Sequence, residues 1–96
     1  MITRDLRIVA AAVLCDGRIY RARNHSYAMH QIWDEELAAG QELTKITQDM
    51  QGFVDQYGQF WNRFQAGAIA LRAGQTKFRH EQLNSEHLPA DYFEEL

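Results

Sequence analysis

Residues Ile8–Leu14, IVAAAVL, are apolar on both alternating faces, and this stretch constrains the fold more than any other. A strand of that kind needs cover on both sides. The chain has 96 residues, enough for one domain. So short a chain buries roughly two thirds of its unfolded surface, and association with other copies is one way to widen its thin stability margin.

Asp16-Gly17 follows the run and predicts a type I′ turn, which needs positive φ at both central residues. The return strand Arg18–Arg23 places Tyr20 and Ala22 on one face, with Ile19, Arg21 and Arg23 on the other. The first hairpin therefore spans residues 6–23. Ser26 is placed to cap a helix over 26–39, with Met29, Ile32, Trp33 and Leu37 at helical spacing. Asp34, Glu35 and Glu36 form its wet side, and Gly40 supplies the stop.

Residues 41–50 carry a weak pattern, read as a loop or an edge strand. A second hairpin is predicted over 51–61, where Phe53-Val54 and Phe60-Trp61 flank a turn containing Gly58. Asn62 caps a helix over 63–73 that ends at Gly74. The C-terminal segment 76–96 is polar, with Phe78, Leu83, Leu88, Tyr92 and Phe93 as anchors. The expected class is α+β: a small antiparallel sheet from two β-hairpins, two main helices packed on it, and a homo-oligomeric assembly.

The second helix is unusual. Phe64, Gly67, Ala68 and Leu71 fall on one side and read as the core-facing stripe. Ala66, Ala70 and Ala73 fall on the other, where an exposed helix carries Lys or Glu. A face of methyls fits close approach by another backbone, either a sheet or a second subunit. Arg63 stands in the first turn, where a cation opposes the helix dipole unless an anion binds beside it. Its structural alternative is an ion pair with Asp55 or another carboxylate.

Net charge −3 excludes a general nucleic-acid binder but leaves room for a local basic pocket that takes one small anion. Cys15 is the single cysteine, so no intrachain disulfide forms and a reducing interior is expected. His25, His30, His80 and His87 show no metal-site spacing. The N-terminal apolar run has the length of a signal-peptide core, yet Asp5 precedes it and a turn follows, as in a strand. No segment is long enough to span a bilayer, and a cytoplasmic location is expected.

Arg21 and Arg23 project side by side on the return strand, and guanidinium forks match phosphate oxygens bidentately. Tyr20, Tyr27, Phe53, Tyr57, Phe60 and Trp61 are dense nearby in the pattern. A base stacked on such a ring gains about 1–3 kcal/mol. Arginines with aromatics suit a nucleotide; a packed core and a solvated strand face are the plain alternative. No phosphate-binding glycine loop, CxxC pair or catalytic triad spacing occurs.

The order RIVAAAVLCDGRIYRARNH, then QGFVDQYGQFWNRFQAGAIALRAGQ, then LNSEHL resembles a family of small phage proteins, the first type of Thoeris anti-defence proteins. The likeness covers about two thirds of the chain and is weakest over residues 35–50 and at the C-terminus. It implies a sponge rather than an enzyme. Such proteins hold a cyclic ADP-ribose immune messenger unchanged in pockets between subunits, and some hold cyclic oligonucleotides at separate sites. By position, Arg23 and His25 fall in the family's Arg-His region, with Asn24 inserted between them. Phe53 matches the Gly-Phe-Val aromatic, a candidate to stack on adenine. Asn62-Arg63 matches the helix start, and Gln75 ends the Ala-Gly-Gln motif; Phe64-Gln65 stands where the family carries Glu-Ala. Arg79 lies where a basic residue reaches phosphate.

The expected ligand-binding set is thus Arg21, Arg23, His25, Phe53, Asn62, Arg63, Gln75 and Arg79, with no catalytic residue, cofactor or metal. The expected partners are a cyclic nucleotide and further copies of the chain, as a dimer or hexamer in the host cytoplasm, with no nucleic-acid polymer and no membrane. The leading rival is a protein-binding inhibitor of a bacterial defence enzyme, using the alanine face and the C-terminal ADYFEEL. A nucleotide-processing enzyme ranks third, since no catalytic constellation is evident.

Overall fold

The computed structural model describes residues 5–94. Strands β1 (Ile8–Cys15), β2 (Arg18–Ala22), β3 (Gln51–Asp55) and β4 (Phe60–Asn62) form one antiparallel sheet in the order β2-β1-β3-β4. Helices α1 (His25–Ala38) and α2 (Arg63–Arg72) pack on it. The fold is α+β, as the pattern predicted. β1 is central, and every side chain from Ile8 to Val13 is fully buried. Asp16 and Gly17 both take positive φ, so the first hairpin turns as its sequence requires.

The two helices share one face of the sheet. Ala11 meets Phe53, Ala66, Ala70, Leu83 and Leu88 under α2, while Val13, Cys15 and Ala22 meet Ala28 and Ile32 under α1. The other face buries Ala10, Ala12 and Val54 beneath Phe60 and Phe93. β1 stays consistent with both because its register against β3 shifts between Ile8 and Ala10. The extra residue there puts Val9 with the back-face cluster and Ile8 with the helix-face cluster.

The stripe assigned to α2 is largely inverted, with Gly67 its one buried member. Ala66 and Ala70 are fully buried, whereas Phe64 is 58% exposed and Leu71 also faces out. Methyl groups on both sides, Ala11 below and Ala66 and Ala70 above, let helix and sheet approach closely, and Phe53 fills the remaining space. The covering backbone is the chain's own sheet, so these alanines are no seam for a second copy; Ala73 stays exposed. On α1, Leu37 is likewise exposed, and Ala28 with Ile32 form the buried contact.

Helix ends follow local chemistry. Asn24, not Ser26, caps α1 by accepting from the Tyr27 N–H at 2.9 Å. Asn62 caps α2 by accepting from the Gln65 N–H at 2.7 Å, and the Gln65 side chain returns the bond to the Asn62 N–H. Both helices close through the same device: Gly40 and Gly74 take positive φ, and the next residue donates back to Glu36 and Ala70 respectively. Of the two readings for residues 41–50, the loop holds: 41–47 carry no helix or strand, and the loop is tethered. Thr44 is tied to Glu36 and to the Trp33 indole, and a 3-10 turn over Gln48–Met50 leads into β3.

The C-terminal segment completes the domain. Leu83 and Leu88 enter the core, and beyond the end of β2 the chain reaches β1 again, where the Glu94 N–H donates to the Val9 carbonyl. The Tyr92 hydroxyl donates to the Arg23 carbonyl at 2.5 Å. Burial pushes that hydroxyl's pKa up to about 12. Tyr92 and Phe93 are therefore partly buried anchors of the segment; Glu95 and Leu96 lie outside the described residues.

Candidate functional site

α1 and α2 both start at the Gly52 end of β3. His25 Nε2, in the first turn of α1, lies 2.7 Å from the Gly52 carbonyl, so that nitrogen carries the hydrogen and donates. Gly52 pairs with Asn62, the cap of α2. The His25 ring meets Phe53 edge-on at 4.9 Å. Burial, opposed in part by the bond to Gly52 and aided by Arg63, holds His25 below the ordinary imidazole pKa.

Four of the expected residues, His25, Phe53, Asn62 and Arg63, are thus brought together, but their groups are largely engaged. Phe53 is fully buried, so its face is closed to a base. Among the described residues Arg63 forms no ion pair with Asp55 or another carboxylate: its Nε donates to the Leu83 carbonyl at 3.1 Å and its guanidinium donates to the Asn84 side chain. Asp55, fully buried, accepts from the Tyr57 and Gln59 N–H groups and from the Trp61 indole. The chemistry that sequence reads as an anion site is here mostly a joint between α2 and the C-terminal segment.

The other four separate. Gln75 clasps Ile8, Arg79 covers the Phe64 ring at 4.8 Å on the outer side of α2, and Arg21 runs across the back face to within contact of Gly58. Arg23 is different. β2 ends at Ala22, and the bend that follows sends Arg23 away from Arg21. It lines an open groove of about 600 Å³ with Ala22, Tyr27, His30, Gln31, Asp34 and Phe93. The two ion pairs among the described residues, Arg7–Glu94 and Arg18–Glu35, leave it out.

This groove offers one guanidinium, two aromatic rings, an imidazole, an amide and a carboxylate, with Tyr27 55% exposed. A second recess of about 350 Å³ lies on the other side of Arg23, lined by Asn24, Ser85, Glu86 and Leu88 among others. Sequence marked Arg23 and Tyr27 but not His30, Gln31, Asp34 or Phe93. Their available signal is spacing: Tyr27, His30, Gln31 and Asp34 recur at three and four residues on one face of α1.

Among the described residues no group of three or more His, Cys, Asp or Glu side chains is placed to hold a metal ion. No helix there is long and apolar enough to cross a membrane. No curated protein and no solved structure matches the chain. The phage T4 y16D protein family matches it over residues 7–89, from the start of β1 through the segment that closes over α2. That span takes in the whole sheet, both helices and Arg23, and it makes the chain a member of the phage T4 y16D protein family.

Proposed function

We propose that this phage protein acts in the host cytoplasm as a sponge, binding a cyclic ADP-ribose-type immune messenger without cleaving it. The observation that carries the reading is the groove at Arg23. Its volume of about 600 Å³ falls within the range of small-ligand pockets. A guanidinium suits the pyrophosphate, and Tyr27 with Phe93 suits a base, replacing the closed Phe53. Asp34 and Gln31 supply groups that can read amino and ring nitrogens. The resemblance of the RARNH, GFVDQYGQFWNR and AGQ stretches to Thoeris anti-defence proteins points to the same ligand class.

An open groove holds a ligand tightly only when something closes it, and a second copy of the chain is the proposed cover. With the alanine face inside, exposed apolar side chains such as Leu37, Leu43, Leu71 and Phe78 are available for such contact. Phe78, 74% exposed, also favours the rival reading, a protein-binding inhibitor of a bacterial defence enzyme.

Titration calorimetry with a cyclic ADP-ribose isomer, followed by heating and recovery of the ligand, separates these readings. Tight binding with intact ligand recovered is the expected result. A hydrolysed product indicates an enzyme. No heat and no shift in Tm across a cyclic-nucleotide panel favours the protein-binding reading, since a tight ligand raises Tm by mass action.

A further inference from the structure

After α2 the chain doubles back along the helix as a strap. The strap passes so close that a Cβ on Gly67 would lie 2.1 Å from the His80 carbonyl oxygen. The Leu83 N–H donates to the Arg63 carbonyl at 3.2 Å, and the Arg63 side chain grips the Leu83 carbonyl and Asn84. A 3-10 turn over Ser85–His87 then folds His87 back, so that its Nδ1 accepts from the Asn84 N–H at 3.0 Å. The His87 ring lies flat on His80, with centroids 3.8 Å apart and planes 8° apart.

An imidazole that accepts at Nδ1 carries its hydrogen on Nε2 and is uncharged. A proton added at Nδ1 removes the acceptor and sets one donor against another. The charge it brings is disfavoured by burial and lies between one guanidinium and one carboxylate. Arg63 of α2 faces the pair, with His25 of α1 near it, while Glu86 in the turn is the opposing carboxylate. Arg79 and Glu81 flank His80 in the chain and are exposed. Burial, then the His80 ring, hold His87 below the ordinary imidazole pKa.

The geometry points to a proton-operated latch: the turn over residues 84–88 stays folded against α2 while His87 is uncharged and accepts from the Asn84 N–H, and opens when a proton on Nδ1 removes that acceptor. Opening withdraws Leu88 from the core and frees one wall of the recess beside Arg23, which Ser85, Glu86 and Leu88 line. The latch stands independently of the nucleotide reading, since every group in it belongs to the strap or to the helices it touches.

NMR on the isotope-labelled full chain tests it, following the two imidazoles and the backbone amides from about pH 7.5 to about pH 5.5. The expected result is one transition shared by the His87 ring and the Asn84–Leu88 amides, while amides of β1 and α1 hold still. His80→Phe keeps a flat ring that cannot charge, so the His87 transition and the opening of the turn move to higher pH together. His87→Asn leaves an acceptor near the Nδ1 position that does not titrate, and the Asn84 amide stays protected throughout. Amides 84–88 that ignore ring titration, an unmoved transition in His80→Phe, or simultaneous loss of all amides would each overturn the latch.

Discussion

Gln75 holds Ile8 by both ends of a single carboxamide: Oε1 accepts from the Ile8 N–H and Nε2 donates to the Ile8 carbonyl, each at 2.8 Å. The Gln75 N–H meanwhile closes the end of α2 on the Ala70 carbonyl. The Ala-Gly-Gln motif is thus a rivet between a helix end and the central strand. Gln75→Leu leaves two partly buried backbone groups unpaired and is expected to cost about 2 kcal/mol. The corresponding fall in Tm is about 10 °C, read by thermal unfolding. Ligand affinity measured well below that Tm should be unchanged, whereas a direct ligand contact at Gln75 would weaken it.

Gly67→Ala sets two effects against each other. Alanine favours a helix interior by about 1 kcal/mol. The new methyl, however, would lie 2.1 Å from the His80 carbonyl oxygen, a backbone atom that cannot swing away. Overpacking of that kind costs about 1–3 kcal/mol. Net destabilisation in urea unfolding is expected; a gain in stability would mean that the strap does not seat on α2.

Asp55→Ala removes a carboxylate that organises the turn between β3 and β4 through three donors, one of them the Trp61 indole. Leaving these donors without an acceptor is expected to cost about 3 kcal/mol. Asp55→Asn keeps one acceptor oxygen and should fall between wild type and alanine. Urea midpoints of the three proteins give the order directly.

The pKa values of His25 and His87 are both lowered in the fold, with burial the largest cause in each. The unfolded chain therefore binds more protons than the native one just below the ordinary imidazole value of about 6.5. Their contribution to stability is present above that pH and is lost as pH falls through it toward the lowered native values. The urea midpoint at about pH 5.5 should lie below that at about pH 7.5. An equal or higher midpoint in acid contradicts the assignment.

For the groove, Arg23→Ala should weaken messenger binding by about 1.5–3 kcal/mol, the range for hydrogen bonds to a charged group. Tyr27→Ala should cost about 1–3 kcal/mol through lost stacking. Arg21 does not line the groove, and Arg21→Ala should leave the affinity near wild type. Calorimetry on the three variants decides the matter, since Arg21 rather than Arg23 as the sensitive position would move the site to the back of the sheet.

Most strands, turns and helix ends were legible because they rest on local chemistry: an Asp-Gly turn, the Asn62 cap, a glycine after each helix. The α1 cap, at Asn24 and not at Ser26, was not legible, and neither was the face of α2. Its two candidate stripes differ in size rather than polarity, and the choice fell to the alanines of β1, which admit alanines closely and would leave no room for Phe64. The candidate site divided for the same reason. Arg21 and Arg23 share a face only while the strand continues, and it stops between them at Ala22. Arg63 and Gln75 carry the residue types of ligand contacts, yet their partners are backbone groups 20 and 67 positions away, which no local pattern reveals.

The bond from Glu94 to Val9 has a consequence for synthesis. β1 emerges from the ribosome early and finds its hairpin partner at once, but it must wait for residues 83–94 before its neighbourhood is sealed. Contacts that link sequence positions so far apart are slow to form, and a nascent sheet left unsealed is prone to pair with other chains. The protein therefore commits to its native state late, and translation that stalls short of Leu83 leaves an adhesive intermediate rather than a smaller working domain.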